Sequence, residues 1–139
     1  MMNNTNVLLL IFNRPSTTAI VFEAIKKARP SKLFIGADGP REGRNEAERC
    51  QEARSIATQV DWPCEVHTLF RETNMGSGRA VSEAISWFFD HVEQGIILED
   101  DCLPDQTFFK YCDELLDKYA WTKEVMAISG TNLLSKGWR

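Results

Sequence analysis

Residues 7–37 read VLLLIFNRPSTTAIVFEAIKKARPSKLFIGA, and two apolar runs in this stretch enclose a segment with helical spacing. The runs at 7–12 and 32–37 are almost continuously apolar, which is typical of strands buried on both faces of a parallel sheet. The segment between them follows Pro15 and carries apolar residues three and four positions apart, as one face of a helix requires. The stretch therefore predicts a strand, a helix and a second strand parallel to the first.

The same alternation continues along the rest of the chain. Further strands are predicted at residues 65–70, 95–98 and 125–129, and those at 95–98 and 125–129 are again mostly continuous apolar, as expected for burial on both faces. Helices are predicted after Asn45, across residues 81–92 and after Asp105. The run at 65–70 is of mixed polarity, so we expect it nearer a sheet edge. The pattern predicts an α/β fold of Rossmann-like type, in which helices flank a mostly parallel sheet.

Length and composition limit the classes of protein and of partner. The chain has 139 residues, 43% of them hydrophobic, which suffices for a single domain over residues 1–139. Its net charge of −4 argues against nucleic acid or an anionic membrane surface as a partner. The longest apolar run is too short to cross a bilayer and the N-terminus lacks a signal-peptide pattern, so we expect no transmembrane segment and a cytoplasmic protein. The four cysteines have no C-x-x-C spacing, so reduced thiols are expected.

Polar residues follow every predicted strand. In an open parallel sheet, ligands bind beyond the carboxyl ends of the strands, so these residues are the first candidates for a site. They are Asn13-Arg14-Pro15, Asp38-Gly39-Pro40, Arg71-Glu72-Thr73-Asn74, Glu99-Asp100-Asp101 and Gly130-Thr131-Asn132. A small polar ligand at this edge of the sheet is therefore expected.

The three adjacent acids Glu99, Asp100 and Asp101 raise an electrostatic question. If they follow a strand directly, their carboxylates share one edge of the sheet and repel one another. A divalent cation would offset this repulsion, and carboxylate oxygens suit Mg²⁺ or Mn²⁺. The alternative is a solvated turn before Pro104, where acidic residues are also common. An apolar strand that runs straight into three acids favours the cation.

Several segments resemble one family of enzymes, in the order in which that family has them. Residues 95–116, GIILEDDCLPDQTFFKYCDELL, resemble the metal-binding segment of GT-A glycosyltransferases, particularly those similar to the N-acetylglucosaminyltransferase I family. LLIFNRP (9–15) resembles the opening strand of that group, FIGADGP (34–40) its second strand, and AISGTN (127–132) the strand beyond the metal site. The resemblance implies a GT-A nucleotide-diphospho-sugar transferase fold.

The resemblance also implies roles for the acids. Asp101 would coordinate Mn²⁺ or Mg²⁺ that bridges the two phosphates of a UDP-linked sugar. Asp100 and Glu99 would face the ribose, the hydroxyls of the donor sugar or a metal-bound water. The implied reaction moves the sugar to a hydroxyl of a saccharide or lipid-linked acceptor.

Residues at the first two strand ends would bind the nucleotide. By the same resemblance, Asp38 would accept a hydrogen bond from the uracil or the ribose, and Arg14, with Asn13 beside it, would lie by the base or the phosphates. A diphosphate carries negative charge, so an acidic site needs a metal or a basic group to hold it. Two alternatives remain open: Asp38 as part of an Asp-Gly-Pro turn, and Arg14 as a surface residue paired with a carboxylate.

Residues 71–85, RETNMGSGRAVSEAI, form the third candidate segment. Glycines that lead into a helix leave backbone N–H groups open to an anion, and Arg79 adds positive charge. The segment resembles the Asn-x-Gly sequence, here Asn74 and Gly76, that helps to close the nucleotide site in many GT-A sequences. A plain connection between strand and helix is the alternative.

No residue is predicted as the catalytic base, and no segment is predicted to bind the acceptor. We therefore expect the nucleotide-sugar half of a larger, truncated enzyme. A nucleotidyltransferase of similar fold is an alternative, but it would be expected to have a glycine-rich loop after its first strand. A non-catalytic α/β binding module of receiver type would need acids after its first and third strands, where Asn13, Arg14, Arg71 and Glu72 stand.

Overall fold

The computed structural model describes residues 5–131, in which four strands and four helices alternate along the chain. The strands are β1 (Val7–Ile11), β2 (Lys32–Ala37), β3 (Glu65–Phe70) and β4 (Ile96–Glu99). The helices are α1 (Pro15–Ala28), α2 (Ala47–Ala57), α3 (Ser77–Phe89) and α4 (Gln106–Tyr119). Within residues 5–131, no helix combines the length and the apolar character that crossing a membrane would need.

The strands form one parallel sheet in the order β3-β2-β1-β4. Val7 at the start of β1 lies opposite Leu33 of β2 on one side and Ile96 of β4 on the other. The α/β class and the parallel sheet flanked by helices are thus confirmed, as is the edge position of β3. The connections step from β1 to β2 to β3 and then return past β1, so the strand order reverses between β1 and β4.

Three helices cover one face of the sheet. Alternate residues of β1 and β2 point to this face and pack with α1, α2 and Phe109 of α4 in the larger of two apolar clusters. α1 begins at Pro15, whose fixed φ suits the first helical position, and α4 begins after Asp105, which caps the Thr107 N–H at 2.9 Å. The predicted start of α4 is therefore confirmed with its cap.

Of the four helices described, only α3 covers the second face. Its Ala84 and Phe88 pack against Leu8 and Leu10 of β1 and Phe34 of β2. The prediction that the strand at 95–98 is buried on both faces is wrong, because the structure buries only alternate residues of β4. α3 packs against β1 and β2, so Ile97 of β4 stays partly exposed on this side.

The predicted fifth strand at 125–129 is not a strand in the structure. This segment runs instead beside α4, where the Tyr111 hydroxyl donates to the Ser129 carbonyl at 3.5 Å and Gly130 lies against the Phe108 ring. Met126 is almost wholly exposed, so the apolar composition that suggested a buried strand is not matched by burial. Asn132, predicted to follow this strand, lies outside the described residues.

Candidate functional site

A cleft of about 450 Å³ opens at the carboxyl ends of β1, β2 and β4 and beside the first turn of α3. It includes the point between β1 and β4 where the strand order reverses, which is the usual ligand position in such sheets. A second depression lies on the outer face of α3 and is lined only by small polar and aliphatic residues of that helix. The cleft at the strand ends is therefore the candidate site.

Six of the nine residues predicted from the sequence line this cleft. They are Arg14, Asp38, Asn74, Gly76, Glu99 and Asp100. Asn13, Arg79 and Asp101 are not part of its wall. The exits of separate strands thus converge, as a parallel sheet requires.

Arg14 supplies the positive charge between two of the three acids. Its Nη2 lies 2.6 Å from Asp100 Oδ1 and its Nη1 lies 3.1 Å from Asp101 Oδ2. The pairing of Arg14 with a carboxylate, one of the two possibilities left open above, is confirmed. The acids therefore coexist here through a guanidinium, the role that the sequence suggested for a divalent ion.

Asp100 is the buried member of this group. Its side chain is 4% exposed, and its Oδ2 has no hydrogen-bond partner within residues 5–131. Burial raises the pKa of Asp100, and Arg14 opposes that rise. At Asp101 the hydrogen bonds from the Cys102 thiol and then from Arg14 hold the pKa below its ordinary value. Asp101 is thus the readily ionised acid and Asp100 the desolvated one.

The exposed acids can supply ligands for a hard cation. Ligand atoms of Glu99, Asp101 and Cys102 lie within 4.8 Å of one another. Burial and then the Asp101 carboxylate raise the pKa of the Cys102 thiol, and a protonated thiol is a poor ligand. The two carboxylates remain, and oxygen ligands of this kind fit Mn²⁺ or Mg²⁺ completed by water or phosphate.

Asp38 and Asn74 hold two loops of the cleft together. Asp38 Oδ1 accepts from the backbone N–H groups of Gly39 and Met75 at 2.8 and 2.9 Å, and its Oδ2 accepts from Asn74 Nδ2 at 3.0 Å. Asn74 also donates to the Gly39 carbonyl at 2.9 Å and accepts from the Gly76 N–H at 3.1 Å. The turn role left open for Asp38 is therefore present, and much of its hydrogen-bonding capacity is used within the protein.

The basic residue on the α3 side of the cleft is Arg71, which the sequence placed at a strand end but did not predict as the basic group. Arg71 lines the cleft and its Nη2 lies 2.7 Å from Glu83 Oε2. Arg79, predicted for this role, is 71% exposed and pairs with the other oxygen of Glu83 at 2.8 Å. The side chain of Arg79 thus lies in solvent and outside the cleft.

A buried carboxylate links the loops after β1 and β2. Glu46 is 1% exposed and accepts from Asn13 Nδ2 at 2.7 Å. It also accepts from the backbone N–H, the Nε and the Nη2 of Arg41, at 2.8, 2.9 and 2.8 Å. The sequence predicted a helix after Asn45, whereas the residue that precedes α2 is Glu46. The only signal of its role is a basic residue five positions earlier in a polar loop.

Glu46 makes the stability of the protein depend on acid pH. The Arg41 side chain, with the Arg41 N–H and Asn13, lowers the pKa of Glu46 from 4.5 to about 2. A depressed folded-state pKa stabilises the protein above the unfolded pKa, and this contribution is lost as the pH falls from about 4.5 towards 2. We expect urea denaturation to show Glu46→Gln less stable than wild type at pH 7, with the gap narrowing below pH 4.5.

Glu48→Gln, which removes an exposed carboxylate from the first turn of α2, is the control at pH 7. It should change the free energy of unfolding by no more than about 0.5 kcal/mol. A constant gap between Glu46→Gln and wild type from pH 7 to pH 3 would contradict the assignment.

Comparison with known proteins identifies no relative of this chain. No protein-family model, no curated protein and no solved structure matches this chain. The functional proposal therefore rests on the residues of the cleft and on the resemblance of its segments.

Proposed function

We propose that this chain is the donor-binding part of a GT-A glycosyltransferase, which binds a UDP-linked sugar with Mn²⁺ or Mg²⁺ for transfer to a saccharide or lipid-linked acceptor hydroxyl. The Rossmann-like parallel sheet and the cleft at its switch point support this proposal. So does the convergence on the cleft of three segments that resemble GT-A enzymes, at residues 9–15, 34–40 and 95–101.

The observation that carries the proposal is the position of Asp100. A carboxylate that is almost fully buried, with one oxygen unpartnered in the described part of the chain, is costly to keep. It lines the cleft where β1 and β4 meet, and it holds Arg14 in place there. Perturbed and desolvated acids in a cleft are characteristic of functional sites.

Each acid of the triplet has a distinct part in this proposal. Asp101 and Glu99 are the exposed carboxylates that would hold the ion, and Asp100 orients Arg14 towards the same point. Held by these two carboxylates, an ion would supply positive charge for the diphosphate that departs. In the transfer, the acceptor oxygen bonds to the anomeric carbon, the bond from that carbon to the diphosphate breaks, and the hydroxyl proton passes to a base that we do not place in this chain.

Titration calorimetry of UDP tests the proposal. Wild type is expected to bind UDP more tightly with Mn²⁺ than without it. Asp101→Ala should weaken binding in Mn²⁺ by about tenfold or more, because it removes a carboxylate from the ion. Asp117→Ala, which removes an exposed carboxylate from α4 far along the chain from the triplet, should bind as wild type does.

The outcome depends on whether UDP binds and on whether Mn²⁺ increases its affinity. Equal affinity of the wild type for UDP in Mn²⁺ and in EDTA would overturn the metal assignment. No measurable binding of UDP in either condition would overturn the proposed function itself.

A further inference from the structure

The cleft contains an arginine whose counter-charge lies behind it. Arg41 lines the cleft with its side chain half exposed, while its partner Glu46 is buried and is not part of the cleft wall. Arg14 differs, because its partner Asp100 lines the same cleft. The guanidinium of Arg41 therefore faces the cleft, while the carboxylate that balances its charge lies outside the cleft wall.

Arg41 is also held in a defined orientation. Its Nε and Nη2 donate to the two oxygens of Glu46 at 2.9 and 2.8 Å, which is the paired geometry that fixes the plane of a guanidinium. The Cζ atom lies 5.5 Å from the centre of the Phe12 ring, which supports the flat face of the group. The Nη1 group makes no hydrogen bond to any residue between 5 and 131. Its two N–H donors are therefore held in place and have no partner among the described residues.

Arg71 does not share these properties to the same degree. Its partner Glu83 is 38% exposed and is divided between Arg71 and Arg79. An anchor that is solvated and shared holds a guanidinium less firmly than a buried one that is hydrogen-bonded on both oxygens.

We propose that Arg41 is an anion-binding residue of the cleft, that it binds a phosphate of the ligand through Nη1, and that Glu46 is its positioning residue. This inference rests on the proposed function in that the anion is taken to be the diphosphate of the donor. The chemistry needed is a phosphate ester or a pyrophosphate, since paired N–H donors of a fixed guanidinium match phosphate oxygens.

The test compares Arg41→Gln with Arg44→Gln in titrations with UDP, inorganic pyrophosphate and uridine, all in Mg²⁺. Arg44 is exposed in the same loop and has no side-chain partner among the described residues, so it controls for the loss of one charge. Arg41→Gln should weaken UDP and pyrophosphate binding about tenfold, the size of one charge-assisted hydrogen bond, and leave uridine binding unchanged. Arg44→Gln should weaken neither ligand by as much as twofold.

The role of Glu46 is tested by a double-mutant cycle. Glu46→Gln should weaken UDP binding in wild type but add no further loss in the Arg41→Gln background, because it acts through Arg41. Equal losses in the two backgrounds would overturn the positioning role. If Arg41→Gln fails to fold by circular dichroism, Arg41→Lys replaces it, which keeps the charge but not the paired contact, and UDP binding should again weaken.

The outcomes separate this inference from the proposed function. If Arg41→Gln binds UDP as tightly as Arg44→Gln does, the inference is wrong while the proposed function stands. If wild type binds pyrophosphate but not UDP, the nucleotide proposal is wrong, and the pyrophosphate titrations still decide the role of Arg41. If wild type binds neither ligand, both proposals are wrong.

Discussion

Phe88→Ala is expected to lower the free energy of unfolding by about 3–5 kcal/mol, the usual cost of emptying a core phenylalanine site. Phe88 is fully buried, its ring packs edge-on against Phe34 with centroids 5.0 Å apart, and Gly95 lies directly beneath it. The apolar cluster on this face is small and depends on one helix, so neighbouring side chains have little scope to fill the space. Urea denaturation should show a lower midpoint with an unchanged slope.

Phe89→Ala is the matched control for this change. Phe89 is the next residue on α3, its ring also contacts Phe88, and it is 45% exposed. Because much of its surface is already in water, its loss should cost about 1 kcal/mol or less. Equal losses of stability in the two variants would show that α3 is not attached to the sheet through Phe88. Such a result would also weaken the placement of the cleft, whose wall includes the first turn of α3.

Gly39→Ala should cost about 3 kcal/mol of stability, at the upper end of what overpacking usually costs. A Cβ at this position would lie 2.4 Å from the carbonyl carbon of Thr73 and 2.6 Å from its nitrogen. Both atoms belong to the backbone, so no side-chain rotation relieves the contact and one loop must move. The hydrogen bonds of Asn74 to Asp38 and Gly39 join these same loops and would be strained or lost.

Gly39→Ala should also weaken UDP binding by the protein that remains folded. In urea-free buffer, where the variant remains mostly folded, UDP affinity should still fall, because two loops that line the cleft are displaced. Gly78→Ala is the control: apart from its chain neighbours and the backbone of its own helix, no atom of the described residues lies within 4 Å of a Cβ there. In the first turn of α3 it should be neutral or stabilise the protein by up to about 1 kcal/mol. Wild-type affinity and stability in Gly39→Ala would contradict the close approach of the loops.

Much of the architecture could be predicted from hydrophobic pattern. The runs at 7–12 and 32–37 lie in the centre of the sheet and are buried on both faces, so nearly every residue in them is apolar. The segment at 125–129 is equally apolar in composition, yet the structure places it beside α4. An apolar composition indicates a tendency to be buried. Whether a strand forms depends also on a neighbouring strand with free backbone N–H and C=O groups, and the apolar pattern of a segment does not show whether such a neighbour exists.

The candidate site was predictable to the extent that strand ends could be located. Arg14 and Asp100 were found because each lies two positions beyond an apolar run. Glu46 and Arg41 were not, because they lie in a polar loop and their importance comes from burial and from partners in other elements. Which charged residues pair across the fold is known only from the folded structure. Arg79 was therefore chosen over Arg71 only because it was predicted to lie in the first turn of a helix.

The strand order has a consequence for when the cleft comes into existence. Arg14 and Asp100 are 86 residues apart, and they meet only when β4 docks against β1. This docking closes the connection that returns past β1, and contacts between such distant residues form late because they require the largest loss of chain entropy. A ligand that contacts both strand ends therefore binds the completed fold in preference to chains in which β4 has not yet docked. Its binding therefore stabilises the completed fold, by an amount that grows with the ratio of ligand concentration to Kd.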